Sequence, residues 1–78
     1  MADPRLGASM KYAELIKKLK RLGCEYARPG PGSHEMWVNL RTNKSAPIPY
    51  HRTKDIGPKL LARILRDLGI GRQDFDQV

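Results

Sequence analysis

The stretch SHEMWVNLRTNKSAPIPY, residues 33–50, predicts a β-hairpin at the centre of the fold. In residues 33–40 the residue types alternate, as they do in a strand whose successive side chains point to opposite faces of the sheet. The face that we predict to be apolar carries His34, Met36, Val38 and Leu40. The letters RTNK are typical of a hairpin turn. Residues 45–50 predict a strand at the edge of a sheet, because Pro47 and Pro49 cannot donate ladder hydrogen bonds.

Amphipathic helices are predicted on both sides of this hairpin. Residues 11–22 place apolar side chains at spacings of three and four, and Gly23 suits the position just after a helix. This first stripe contains Tyr12, Leu15, Ile16, Leu19 and Leu22. The second helix is predicted to begin at Pro58, which suits the first helical position, and to end at Gly69. Its stripe contains Leu60, Leu61, Ile64, Leu65 and Leu68.

Shorter segments complete the predicted architecture. Residues 24–28 favour an extended strand, and the Pro-Gly-Pro-Gly of residues 29–32 requires a loop. Residues 73–76 predict a last turn in which Phe75 folds back on the core. The order helix, strand, strand, strand, helix predicts an α+β fold with a three-stranded antiparallel sheet and two helices on one face.

Length and composition restrict the possible classes of protein. A chain of 78 residues is one small domain, which excludes both a two-domain enzyme and a large enclosed cofactor pocket. Residues 1–9 show no periodicity, so we expect a leader or disordered tail there and the folded domain over residues 10–78. No apolar run approaches the ~20 residues that span a bilayer. Cys24 is the only cysteine, which excludes an intrachain disulfide and fits a reducing cytoplasm.

The charge of the chain favours an anionic partner. Fifteen Lys and Arg residues stand against eight Asp and Glu residues, for a net charge of +7. Such an excess on a small surface attracts nucleic acid, an acidic protein or an anionic membrane. Trp37 is predicted on the face opposite the apolar one, where it could stack on a base, cover the sheet or meet a protein.

The tripeptide Gly32-Ser33-His34 is the candidate for chemistry. A glycine-rich loop lets a phosphate approach the backbone, and a histidine beside it can exchange protons near neutral pH. RNA cleavage needs a base for the 2′-hydroxyl and an acid for the leaving oxygen, and His34 could serve as either. The alternative is that His34 closes the edge of the apolar face. His51 favours a surface role, although it could pair with His34 as acid and base.

Other chemistry receives little support from the sequence. Ser33 has no base and orienting group that would make a hydrolase triad. Asp55 is expected to be a loop or capping carboxylate. Two histidines without a carboxylate pattern make a weak metal site, so neither a metal nor another cofactor is expected.

Three stretches of the chain together resemble a known family. They are KYAELIKKL at residues 11–19, GSH at residues 32–34 and KDIGPKLLARILRDLGI at residues 54–70. In order and spacing they resemble the HicA (YcfA-like) mRNA interferase toxins of type II toxin–antitoxin systems. The resemblance covers roughly residues 10–75, which is nearly all of the chain.

The resemblance implies both a fold and a function. It implies the αβββα, double-stranded-RNA-binding-domain-like fold and a cytoplasmic endoribonuclease that cleaves mRNA without a metal, arrests growth and is blocked by a HicB-type antitoxin. The essential histidine of the family falls on His34, with Gly32 and Ser33 beside it as substrate-binding residues. Lys54 and Lys59 are expected to hold phosphates, an inference from their charge alone. Neither a membrane nor a small-molecule cofactor is expected as a partner.

The sequence departs from the family pattern around the candidate site. Pro29 and Pro31 stand where basic residues are frequent, and Trp37 and the strand at residues 47–49 are less typical. These departures affect the expected substrate preference and leave His34 in place. Two other functions remain open: a non-catalytic RNA-binding module of the same fold, and a protein-interaction subunit whose basic face meets an acidic partner.

Overall fold

The order of helices and strands follows the prediction, with short additions. A computed structural model describes residues 10–50 and 55–78 of the chain. Its elements are β1 (Met10–Lys11), α1 (Tyr12–Arg21), β2 (Cys24–Pro29), β3 (His34–Asn39), β4 (Lys44–Pro49), β5 (Asp55–Ile56), α2 (Pro58–Leu68) and α3 (Arg72–Asp76). The α+β fold with a three-stranded antiparallel sheet is confirmed, and it is consistent with the double-stranded-RNA-binding-domain-like arrangement.

The main sheet places β3 between β2 and β4. Trp37 at its centre pairs with Tyr26 of β2 and Ala46 of β4, and a bulge interrupts β2 between Tyr26 and Arg28. A second, two-stranded sheet joins β1 to β5, so the starts of α1 and α2 are held side by side. The short β5 contains Asp55, which the sequence predicted in a loop or cap.

The edge position of β4 explains its two prolines. The amide of Tyr50 donates to the carbonyl oxygen of Ser33 at 2.9 Å, so alternate amides of this strand point toward β3. Pro47 and Pro49 occupy the intervening positions, whose amides would point away from the sheet. The prolines therefore remove no ladder hydrogen bond, and the predicted edge strand is confirmed.

Both helices begin and end as their sequences predict. Gly23, just after α1, has a φ of +92°, and Gly69, just after α2, has a φ of +71°, a region that glycine adopts without steric strain. Pro58 occupies the first turn of α2. The buried side chains of α1 and α2 are Leu15, Ile16, Leu19, Leu61, Ile64, Leu65 and Leu68. Each such side chain stabilises the fold by about 1.5–3 kcal/mol when it leaves water.

The predicted apolar face of β3 is the wrong one. Trp37 is 3% exposed and packs in the core, whereas Met36 and Val38 on the other face are half-buried. Alternation determines which side chains share a face, but the packing of the helices decides which face they cover. The same packing buries Asn39, whose polar amide has partners within the fold. Stacking of Trp37 on a base is excluded by its burial.

Candidate active site

The loop before β3 turns tightly around glycine and proline residues. The amide of Gly30 donates to the carbonyl oxygen of His34 at 3.0 Å, and the amide of His34 donates to that of Pro31 at 3.1 Å. Gly32 has a φ of +59°, and a Cβ added there would meet no atom within 4 Å. The backbone conformation therefore favours glycine at this position, and no atom of the described residues occupies the space beside it.

His34 lies at the exposed start of the central strand, immediately after this loop. Its Nδ1 is 3.1 Å from the carbonyl oxygen of Pro31. Because a carbonyl oxygen only accepts hydrogen bonds, this contact assigns the hydrogen to Nδ1. In the neutral ring Nε2 then carries the lone pair and can accept a hydrogen bond from a ligand. His34 does not pack in the core, which is on the opposite face of β3.

Gly30 lies against the candidate histidine, a contact that the sequence pattern did not predict. A Cβ added at Gly30 would lie 3.3 Å from the carbonyl oxygen of His34 and 3.4 Å from its Cβ. A larger residue would therefore press on the histidine. The signal was present in the sequence as the first glycine of Pro-Gly-Pro-Gly, but spacing alone does not reveal the contact.

A cluster of aromatic and acidic side chains lies on the helix-facing side of the same end of the sheet. Oε1 of Glu35 accepts hydrogen bonds from the Tyr12 hydroxyl and, at 3.3 Å, from Nε1 of Trp37. Burial, reinforced by the Glu35 carboxylate, raises the pKa of Tyr12 above its ordinary value, so its hydroxyl keeps its hydrogen. Tyr12 also meets Tyr50 edge-on, with ring centroids 5.0 Å apart. This cluster joins α1 to the residue that follows His34.

The structure brings some of the predicted site residues together and separates others. Gly32 and Ser33 adjoin His34 in the loop, and all three are exposed. Lys59 is exposed in the first turn of α2, and no hydrogen bond or ion pair between described residues connects it to His34. Lys54 and His51 lie outside the described residues.

Cations differ in how far neighbouring carboxylates compensate them. Ion pairs hold Lys11 to Asp55 at 2.6 Å, Arg63 and Arg66 to Asp67 at 3.8 and 4.0 Å, and Arg72 to Asp76 at 3.0 Å. By contrast, Lys17, Lys20 and Arg21 of α1 have no ion pair within residues 10–50 and 55–78. The positive charge of α1 is therefore less compensated by carboxylates than the positive charge of α2.

Cys24 is buried at the start of β2. Desolvation raises the pKa of its thiol, against a smaller opposite effect of the Arg41 charge. Among the described residues, no group of three or more His, Cys, Asp or Glu side chains lies close enough to share a metal ion. In the same part of the chain, no helix has the length and hydropathy that a membrane crossing needs.

These features define a class of small basic αβββα proteins that carry an exposed histidine at the start of the central strand. The profile of a family described as HicA toxin of bacterial toxin-antitoxin matches residues 12–70, and the chain belongs to this family. Comparisons with curated proteins and with solved structures found no match. Family membership makes the chain the toxin of a toxin–antitoxin system, which implies an antitoxin as its partner.

Proposed function

We propose that the chain is a cytoplasmic endoribonuclease that cleaves mRNA without a metal and uses His34 as its catalytic histidine. The single observation that carries this proposal is the exposed imidazole of His34, held through Nδ1 by Pro31 next to the open backbone of Gly32. The family match over residues 12–70 supports the proposal, because the match is to a family of toxins and the resemblance to that family implies mRNA cleavage as the toxic activity.

The proposed reaction needs only groups that the RNA, the histidine and solvent water supply. The 2′-oxygen of a ribose attacks the adjacent phosphorus, the bond from phosphorus to the 5′-oxygen breaks, and a cyclic phosphate and a free 5′-hydroxyl result. Nε2 of His34 takes the 2′-hydroxyl proton while a water molecule protonates the leaving 5′-oxygen, or protonated His34 gives its proton to the leaving 5′-oxygen while a water molecule takes the 2′-hydroxyl proton. A positioned acid or base of this kind accelerates such a step by about 10²–10⁴-fold.

The loop residues are proposed to bind the phosphate that reacts. Gly32 leaves its backbone open, and Ser33 is exposed directly before His34. Lys59 is proposed to hold a neighbouring phosphate through its exposed ammonium group. Lys54 retains the same proposed role from its charge, although it lies outside the described residues. We propose residues 10–78 as the toxin domain, because the family match over residues 12–70 lies within them, and we retain the expectation of a leader or disordered tail for residues 1–9.

Inhibition is proposed to work by occlusion. A HicB-type antitoxin with an acidic surface would cover His34 and approach the basic side chains Lys17, Lys20 and Lys59. These lysines have no ion pair among the described residues, so they can meet the partner's carboxylates without first losing another contact. Arg63, which the charge pattern also suggests, already lies 3.8 Å from Asp67.

A non-catalytic RNA-binding module is the second candidate, favoured by the same fold and by the net charge of +7. The two functions differ in one assay. Purified protein and its His34→Ala variant are incubated with a long single-stranded RNA in the presence of a chelator, and the products are separated on a gel. Circular dichroism checks that both proteins are folded.

We expect cleavage by the native protein, undiminished by the chelator, and none by the folded His34→Ala variant. In cells, the variant should relieve the growth arrest that the native chain causes. Cleavage by the variant at the native rate would exclude His34, and an activity that only added metal restores would exclude the metal-free reaction. RNA binding without cleavage by the native protein would establish the binding module instead.

A further inference from the structure

We propose that a groove beside the loop of His34 binds one nucleobase of a single-stranded RNA, next to the phosphate that reacts. The groove lies between the start of α1 and the end of β4, and its lining residues are Lys11, Tyr12, Ala13 and Tyr50. This inference rests on the proposed function, and it names a subsite for the base where that proposal concerns the phosphate.

The aromatic rings in the groove are held in place before a ligand arrives. The Tyr12 hydroxyl donates to Glu35, and the ring of Tyr12 meets that of Tyr50 at 5.0 Å with an interplanar angle of 88°. Tyr50 is one of the few large hydrophobic residues that stay exposed, at 40% of its surface. Accessible aromatic rings bind single-stranded RNA by stacking on the bases, and a ring that is already positioned loses little entropy in doing so.

The groove is adjacent to the proposed catalytic histidine along the strand register. The amide of Tyr50 donates to the carbonyl oxygen of Ser33 at 2.9 Å, so these two residues lie opposite each other. Opposite residues of an antiparallel pair are about 5 Å apart, and His34 follows Ser33 directly. A base on Tyr50 and a phosphate at His34 therefore lie within the reach of neighbouring nucleotides.

The charge in the groove favours a base over a phosphate. Among the described residues that line the groove, Lys11 is the one cation, and its Nζ lies 2.6 Å from Oδ1 of Asp55. This ion pair compensates the charge that would otherwise attract a phosphate. The remaining lining residues are two tyrosines and an alanine, which suit an uncharged planar group.

The two contacts lie on different faces of the sheet, which restricts the nucleic acid to a single strand. Tyr50 packs on Tyr12 of α1, on the helix side, and Glu35 contacts α1 on that side as well. His34 precedes Glu35 and points to the opposite face, because side chains alternate along a strand. An RNA that touches both must bend around the end of the sheet, which a single strand can do and a stiff duplex cannot.

The test measures RNA binding and cleavage separately. Binding of a fluorescein-labelled single-stranded RNA is followed by anisotropy in a His34→Ala background, so that the RNA stays intact. The variants are Tyr50→Ala, Tyr50→Phe, which keeps the ring, and Tyr26→Ala. Tyr26 is the matched control because it is also exposed, at 46%, and also packs edge-on against an aromatic ring, that of Trp37.

We expect Tyr50→Ala to weaken binding by about tenfold, the loss of one stacked base, while Tyr50→Phe and Tyr26→Ala change it less than about twofold. An RNA with an abasic nucleotide next to the mapped cleavage site should bind the His34→Ala protein, which retains Tyr50, about tenfold more weakly than the unmodified RNA. The same abasic nucleotide should not weaken binding further in the variant that also carries Tyr50→Ala. Because the first of these comparisons changes only the RNA, a folding defect caused by Tyr50→Ala cannot affect it.

The failures of the two proposals are distinguishable. One outcome is that the RNA binds and the native protein cleaves it, but neither Tyr50→Ala nor the abasic nucleotide weakens binding. In that case the proposed base subsite is wrong and the nuclease proposal stands. If a duplex of the same sequence competes as well as the single strand, the path around the end of the sheet is wrong. If no RNA is bound or cleaved, the proposed function itself fails.

Discussion

Nδ2 of Asn39 donates a hydrogen bond at 2.9 Å to the carbonyl oxygen of Leu68, which connects the end of the central strand to the last turn of α2. The Oδ1 atom of the same side chain accepts from the amide of Arg41 at 2.9 Å. Thr42 adds a second donor to Leu68, also at 2.9 Å. The side chain of Asn39, which is 2% exposed, thus supplies a hydrogen-bond acceptor to an amide of the hairpin turn and a donor to a carbonyl at the end of α2.

Replacement of Asn39 should destabilise the fold more than replacement of Thr42. Asn39→Leu keeps a similar volume but leaves the Arg41 amide without its partner, so we expect a loss of about 1–3 kcal/mol in the free energy of unfolding. Thr42→Val removes one of two donors to Leu68 and the acceptor of the Lys44 amide, but that amide is exposed and can bond to water, so this variant should have the smaller effect. Urea unfolding of both variants and of the double variant measures this. Equal losses from the two single variants would contradict the assignment.

A single methyl group added at two nearby glycines should have two different effects. At Gly30 the new Cβ would press on His34 at 3.3–3.4 Å, so Gly30→Ala should lower cleavage while the protein stays folded. At Gly32 the space is open but φ is +59°, so Gly32→Ala should mainly reduce stability, by about 1 kcal/mol. Cleavage rates and urea unfolding are measured for both. Native cleavage by Gly30→Ala would show that the loop relaxes without moving the histidine.

Stability should fall at alkaline pH through Tyr12. Its pKa is raised in the folded state by burial and by Glu35, so the stabilisation is complete below the ordinary tyrosine value of about 10 and is lost progressively above it. We expect the difference in unfolding free energy between the native protein and Tyr12→Phe to shrink between pH 9 and pH 11. A difference that stays constant over this interval would refute the effect.

The thiol of Cys24 should be protected from alkylation. Burial keeps it out of water and raises its pKa, and the thiolate is the form that reacts. We expect iodoacetamide to label the folded protein at least about 100-fold more slowly than the urea-unfolded chain, since reaction requires local opening. Mass spectrometry over time measures both rates. Similar rates in the two states would place the thiol at the surface.

The position of positive charge should matter for binding of the antitoxin. Lys17→Gln with Lys20→Gln and Arg63→Gln with Arg66→Gln remove the same charge, but only the second pair lies beside Asp67. We expect the α1 double variant to slow association more and to reduce its dependence on salt more. Stopped-flow measurements at several salt concentrations compare the two. Identical changes would show that net charge alone steers the encounter.

Much of the fold follows from local patterns in the chain. The apolar stripes of α1 and α2 and the glycines that end them predict both helices, because periodicity and positive φ are local properties. Pro47 and Pro49 likewise place β4 at an edge. The helix-covered face of β3 did not follow, since Met36 and Val38 are no less apolar than Trp37. Only the packing of the helices decides that question.

The candidate site was predictable only in part. The glycine-rich loop and His34 are adjacent in sequence, so the sequence predicts that they lie together. Tyr12 and Glu35, by contrast, are separated by 23 positions, and no spacing rule relates a helix residue to a strand residue at that distance. The groove at Tyr50 includes Tyr12, so the sequence pattern did not predict it, and Trp37, for which stacking was one of three expected roles, packs in the core instead.

The prolines of β4 have a consequence for the behaviour of many copies of this chain together. An exposed strand edge invites the backbone of another molecule to add to it, which is how sheets grow into aggregates. Pro47 and Pro49 offer no outward donors for such growth, and the bulge in β2 interrupts the other edge of the same sheet. Neither edge is a good template, so the protein should remain monodisperse when it accumulates without a partner.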